Sequence, residues 1–197
     1  MTSASGNQPV QILGICGSLR AKSLNRNLLT LAGELAPQGV SVEIFDLLPI
    51  PLYNADVERQ GAPEAVAALK AAIAAADAVI FACPEYNASP TAALKNAIDW
   101  ASRRPTPDVA SVLADKPAAI VGGGGRRGTV RAQAQLKQTL ASTRMELIDD
   151  VEVALAGLRG NTDENGMLTN QEYRDLVGSL VQAVADQVRE KRAAAVS

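Results

Sequence analysis

The sequence predicts a doubly wound α/β fold: a five-stranded parallel sheet in the order 2-1-3-4-5 with helices on both faces. Three observations carry this expectation. A short aliphatic or β-branched run, a Gly- or Pro-marked loop and an Ala/Leu-rich helical stretch recur along the chain. The runs ILGIC, AVIFAC and AAIV are apolar without alternation, as strands covered on both faces are. The chain has 197 residues, enough at roughly 150 residues per domain for one full core and not for two.

The elements follow in order. Residues 1–9 read as a short disordered lead, and Val10 to Cys16 as the first strand. Leu24 to Ala36 is the first helix, with Ser23 placed to cap it. Val40 to Phe45 is the second strand, followed by a Pro-rich loop. A helix from Pro63 to Ala76 starts with Pro in its tolerated first turn, and Ala78 to Cys83 is the third strand. Pro90 to Arg103 carries Leu94, Ala97, Ile98 and Ala101 on one helical face. Ala118 to Val121 is the fourth strand, Thr129 to Ala141 the next helix, and Met145 to Ala154 holds the fifth strand. Asn170 caps a terminal helix that runs to about Arg192.

Composition narrows the chemistry. There is no histidine, which removes imidazole bases, His-ligated zinc and haem, and neutral-pH proton shuttles; no metal site is expected. With 19 Lys and Arg against 21 Asp and Glu the formal charge is −2, so nothing favours nucleic acid or an acidic membrane. Cys16 and Cys83 each end an apolar run and form no spaced framework, which reads as a reduced, cytoplasmic protein. The most apolar stretch, Ala62 to Cys83, is interrupted by Glu64, Lys70 and Asp77, so no membrane span is expected. The N-terminal MTSASGNQPV has no apolar signal core.

In a sheet of this order ligands bind beyond the carboxyl ends of the strands. The loop after strand one, Gly17-Ser18-Leu19-Arg20-Ala21-Lys22-Ser23-Leu24-Asn25, offers hydroxyls, a guanidinium and the start of a helix. That is the chemistry of a phosphate cradle, and the bland reading beside it is an N-capped turn. The dinucleotide pattern G-x-G-x-x-G is missing here. Lys22 stands where a cysteine phosphatase needs Arg, and Thr129 stands where Walker spacing from Gly123 needs Lys. After strand three, Pro84-Glu85-Tyr86-Asn87-Ala88-Ser89-Pro90 is polar and rigid, suited to the face and edge of a flat heteroaromatic ring, or simply to a tight turn closed by Asn87. After strand four, Gly122 to Gly125 cost backbone entropy unless something approaches closely, and a planar ligand is one candidate. Arg126 and Arg127 either meet an anionic nicotinamide dinucleotide phosphate or form a solvated basic loop. Lys95 and Asp99 are spaced as an i,i+4 ion pair, and Trp100 reads as a core or interface residue.

Together these loops resemble the NADPH-dependent FMN reductase family, and within it the branch of bacterial quinone, chromate and azo-dye reductases. The resemblance is carried by GSLRAKSLN at 17–25, PEYNAS at 84–89 and LKNAIDWASR at 94–103, and runs from about residue 10 to 155. It implies a flavodoxin-like fold and non-covalent FMN. Ser18, Arg20, Ser23 and Asn25 would surround the phosphate beside Leu24, and Pro84, Glu85, Tyr86 and Asn87 would lie along the isoalloxazine, with Gly122, Gly123 and Gly125 adjoining it. Typical members carry Ser or Thr at the positions of Gly122 and Gly123, a second aromatic at Ala88 and a Pro-Gly pair just after Pro90. Here two hydroxyl donors and one stacking surface are therefore missing, while the phosphate loop is intact.

The function this implies is hydride transfer from NADPH or NADH to the flavin N5, then electron transfer to quinones or other broad acceptors such as chromate, azo dyes, ferric chelates or free flavin. The cofactor carries the reaction and no side chain is a covalent catalyst. A homodimer or homotetramer is implied as well. The rival readings are a flavodoxin-type carrier or flavin-binding sensor, and a phosphoacceptor receiver domain, which would need acidic clusters that Gly17-Ser18 and Pro84-Glu85 do not supply.

Overall fold

A computed structural model describes residues 8–104 and 106–196; most of the expected disordered lead lies outside the described residues. The first strand, β1 (Val10–Cys16), pairs in parallel with both β2 (Val40–Phe45) and β3 (Ala78–Ala82). β3 in turn pairs with β4 (Pro117–Gly123). With β5 (Glu146–Leu147) beside β4, the sheet order is β2-β1-β3-β4-β5, with every pairing parallel.

Alternate residues of the apolar strands feed two separate cores. Ile12, Ile80 and Val121 pack with α1 (Leu24–Glu34) and α6 (Gln171–Ala194) through Leu28, Leu31, Val181 and Val184. Leu13, Val79, Phe81 and Ile120 pack on the opposite face against α3 (Glu64–Ala75), α4 (Ala92–Ala101) and α5 (Val130–Ser142) through Leu69, Leu94, Ile98 and Leu136. This two-sided burial explains the unbroken apolar runs. Because α1 and α4 leave the sheet on opposite faces, a crevice opens between the loops that follow β1 and β3.

Two elements depart from expectation. The Pro-rich loop contains a short helix, α2 (Ala55–Gln60), capped by the Asn54 side chain, and none of its residues is buried. The fifth strand is split into β5 (Glu146–Leu147) and β6 (Val153–Leu155), which pair with the two ends of β4. The residues between them include Asp149, Asp150 and Glu152, all exposed. Such residues are poor strand formers, and Asp149 instead pairs with Lys137 at 2.8 Å. A 3₁₀ helix, Leu158–Asn161, follows β6. Trp100 is fully buried, donates from its indole to Pro51 O at 2.8 Å and meets Tyr53 edge-on at 4.9 Å between centroids, so it is a core residue. Lys95 and Asp99 pair at 2.6 Å on the surface of α4.

Candidate active site

Beyond β1, the chain turns at Gly17, whose N–H donates to Ala82 O at 2.9 Å. Thr91 Oγ1 donates to Gly17 O at 2.6 Å and accepts from Leu94 N, so one hydroxyl ties this turn to the start of α4. A Cβ at Gly17 would stand 2.6 Å from that hydroxyl, which explains the glycine. Ser23 caps α1, accepting from Arg26 N at 3.3 Å. The first turn of α1 carries no acidic residue, which leaves its positive end available to an anion.

Ser18 lies on the loop between these fixed points. It is 5% exposed, and its hydroxyl is the one buried side-chain N or O among the described residues that has no hydrogen-bond partner. Burying a hydroxyl without a partner costs stability, so this atom marks a position where an acceptor belongs. Ser18 is one of the residues that line a cleft of about 340 Å³, whose walls also include Arg20, Ser23, Leu24, Asn25, Pro84, Glu85, Tyr86 and Gly123 to Gly125. Other hollows, of about 430 and 690 Å³, flank the far ends of α3 to α5 and contain no orphaned buried group.

The chain segment 10–158 matches the family model described as NADPH-dependent FMN reductase. This protein belongs to the NADPH-dependent FMN reductase family. It is similar to an NAD(P)H-dependent FMN reductase of Pseudomonas aeruginosa, 44% identical over 93% of this chain and 97% of the relative. It also resembles an NAD(P)H:quinone oxidoreductase of Solanum tuberosum, 40% identical over 90% of this chain and 92% of the relative. Among solved structures it matches FerB, a flavoenzyme NAD(P)H:acceptor oxidoreductase from Paracoccus denitrificans, with a TM-score of 0.82 and 31% identity over 92% and 98% of the two chains. The fold is thus flavodoxin-like, and the chain is an oxidoreductase of the FMN- and NAD(P)H-dependent class.

The residues of this family member fit FMN at the phosphate end: an orphaned buried hydroxyl, a guanidinium and a helix start free of acid converge on one cleft. Several residues have other duties than the motifs suggest. Asn25 donates to Gly123 O at 2.9 Å and accepts from Gly123 N at 3.0 Å. Its amide group is engaged by the backbone of β4, so it shapes the cradle and is not free for a phosphate oxygen. Glu85 caps α5, accepting from Arg131 N at 3.1 Å, Ala132 N at 3.2 Å and Arg131 Nε at 2.8 Å, with Arg131 Nη2 closer still. Burial pushes the Glu85 carboxyl up, but the Arg131 guanidinium and the helix N–H groups outweigh it and hold it below its ordinary value.

Two expected residues fall outside the cleft lining. Asn87, with Ala88, forms the tip of a two-residue turn at φ 53° and 65°, closed by Tyr86 N–H to Ser89 O at 3.0 Å and Ser89 N–H to Tyr86 O at 3.1 Å. Positive φ at both central positions is the tight hairpin geometry, and it leaves Asn87 exposed and away from the cleft. Gly122 is buried inside β4, where a Cβ would collide with Thr129 Oγ1 and stand 2.5 Å from Cys83 O. At Gly123 a Cβ would stand 2.5 Å from Leu158 Cδ2. Close approach does explain these glycines, but the approaching groups belong to the protein, not to a ligand. Only Gly125 of the four has open space beside its Cα. The sequence reading missed the opposite wall, Gly157 to Gly160, which the fold brings to the cleft from the far side of β6.

Proposed function

We propose that this single-domain protein holds FMN in the cleft, its phosphate against Ser18, Arg20, Ser23 and the start of α1, its ring along Pro84 to Tyr86. When bound, FMN accepts hydride from NADPH or NADH and passes the electrons to a quinone or another small acceptor. The side chains bind and orient. Ser18 Oγ donates to the anion, Arg20 pairs with it, and Leu24, Pro84 and Leu158 supply apolar wall that keeps water from the flavin. Tyr86, 50% exposed at the mouth, offers a surface beside which a nicotinamide or quinone can lie. Glu85 serves through α5, by holding the Pro84–Tyr86 segment against that helix. The similarity to quinone oxidoreductases supports the acceptor class.

The observation that carries this reading is the buried, unpartnered hydroxyl of Ser18, a residue that lines the same cleft as Arg20 and the start of α1. The test is the absorbance spectrum of the purified protein, supplied with FMN if colourless, followed by anaerobic NADPH. Flavin bands that bleach rapidly support the reductase; bands that persist refute it. Arg20→Ala is expected to lose flavin on desalting, and unchanged flavin content in that variant would contradict the phosphate assignment.

The same reading includes an assembly of two or four copies in the cytoplasm. The exposed Leu48, Leu52 and Val57 around the start of α2 suit contact between copies, and sedimentation velocity tests it. Cys16 and Cys83 are buried free thiols, as a reducing compartment permits. Among the described residues no helix is long and apolar enough to cross a membrane.

A further inference from the structure

We propose that Arg159 is a second phosphate-pairing group of the cleft, and that with Arg20 it makes the site select phosphorylated over unphosphorylated flavin. The proposal rests on FMN occupying this cleft, and it concerns a residue outside all the motifs of the family resemblance.

The placement of Arg159 is fixed by its neighbours. The chain leaves β6 and turns at Gly157, φ +58°, into the 3₁₀ helix. Gly157 N–H donates to Gly125 O at 2.9 Å and Leu158 N–H to Gly124 O at 3.0 Å, while Gly124 N–H donates to Leu155 O at 3.0 Å. Asn161 Nδ2 returns to Gly157 O at 3.0 Å and closes the turn. Leu158, 2% exposed, lies directly across Gly123. Leu158 is thus an anchor, and the residue after it is carried over the glycine loop as part of the cleft wall.

Charge supplies the second argument. Neither Arg20 nor Arg159 pairs with a carboxylate among the described residues. Glu85, the one carboxylate of the lining, is already held by Arg131. The lining of the cleft therefore includes two arginines without a carboxylate partner and Ser18, whose buried hydroxyl has no partner. A phosphomonoester carries a charge of roughly −1.5 to −2 at pH 7. One guanidinium leaves such a group about half neutralised, and two match it. Riboflavin, which lacks the phosphate, has no use for either.

The test compares dissociation constants of FMN and riboflavin for flavin-stripped wild type, Arg159→Ala, Arg159→Lys and Arg20→Ala, read by quenching of flavin fluorescence. Arg159→Ala is expected to weaken FMN about tenfold, the size of one lost charge-assisted contact, and to leave riboflavin within about twofold. Arg159→Lys should keep part of the preference, because the charge remains while the planar fork is lost. In wild type the FMN affinity should rise with pH across the second phosphate ionisation near about 6, and this rise should shrink in Arg159→Ala. If Arg159→Ala keeps the wild-type ratio of the two flavins while Arg20→Ala lowers it, Arg159 takes no part and the cleft assignment stands. Equal weakening of both flavins would make Arg159 a support of the loop and would also overturn the proposal. A wild type that does not prefer FMN to riboflavin would overturn the cleft assignment itself, and this inference with it.

Discussion

Replacing Ser18 by Ala separates what the hydroxyl does for the folded chain from what it does for the ligand. Ser18 is 5% exposed and its Oγ has no partner. An unsatisfied buried hydroxyl destabilises the fold by about 1–3 kcal/mol; removing it leaves a methyl in the same space. The flavin-free variant is therefore expected to be more stable by about 1–2 kcal/mol, which raises Tm by roughly 2–8 °C for a chain of this size. With the flavin present the sign reverses. A hydroxyl donating to a phosphate oxygen is a charge-assisted bond of about 1.5–3 kcal/mol, so FMN affinity should fall by about 10- to 150-fold. Melting curves with and without a fixed excess of FMN read both effects, because the ligand-induced shift shrinks as the dissociation constant rises. A flavin-free variant that melts below wild type, or an undiminished shift with FMN, would refute the reasoning.

Gly123→Ala places a methyl 2.5 Å from Leu158 Cδ2 and is expected to lower stability by about 1–3 kcal/mol in urea unfolding. The loss should be smaller against a Leu158→Ala background, and additive losses would show that the two residues do not compete for this space. Burial pushes the Cys83 thiol up to about 12, with Glu85 adding to the shift. Its folded value lies above the unfolded one, so its share of stability is complete below about pH 9 and declines as pH rises toward 12. Cys83→Ala should flatten that decline by up to about 1.4 kcal/mol per pH unit, and identical slopes would count against the burial argument.

Much of this fold is legible in the sequence alone. Strands β1, β3 and β4 announce themselves because both faces are covered, and Asn170 caps α6 as its side-chain chemistry predicts, accepting from Tyr173 N at 3.1 Å. The short α2 left no trace, since six residues that bury nothing need no apolar periodicity. The wall at Gly157 to Gly160 was not legible either: its approach to the cleft depends on β6 pairing with β4, a contact between segments about thirty residues apart. The role of Glu85 was hidden for a similar reason. Thr129 gives α5 no side-chain cap, and the first turn of α5 contains no acid; the missing cap arrives from another loop. The glycine run shows the limit of local reading, because its cause, the groups packed against Gly122 and Gly123, lies across space.

The split of the last strand has a consequence for how copies of the chain can meet. A long open strand edge invites another chain to continue the sheet. Here one edge of the sheet is broken into pieces of two and three residues, separated by a charged, exposed segment. The opposite edge, β2, carries Ser41 and Glu43 exposed between less exposed neighbours. Neither border offers a long, flat, apolar template, so growth by strand addition is disfavoured at both. Any assembly of this protein is left to its helices and loops, and the rows of backbone donors and acceptors at its borders are kept from seeding fibres.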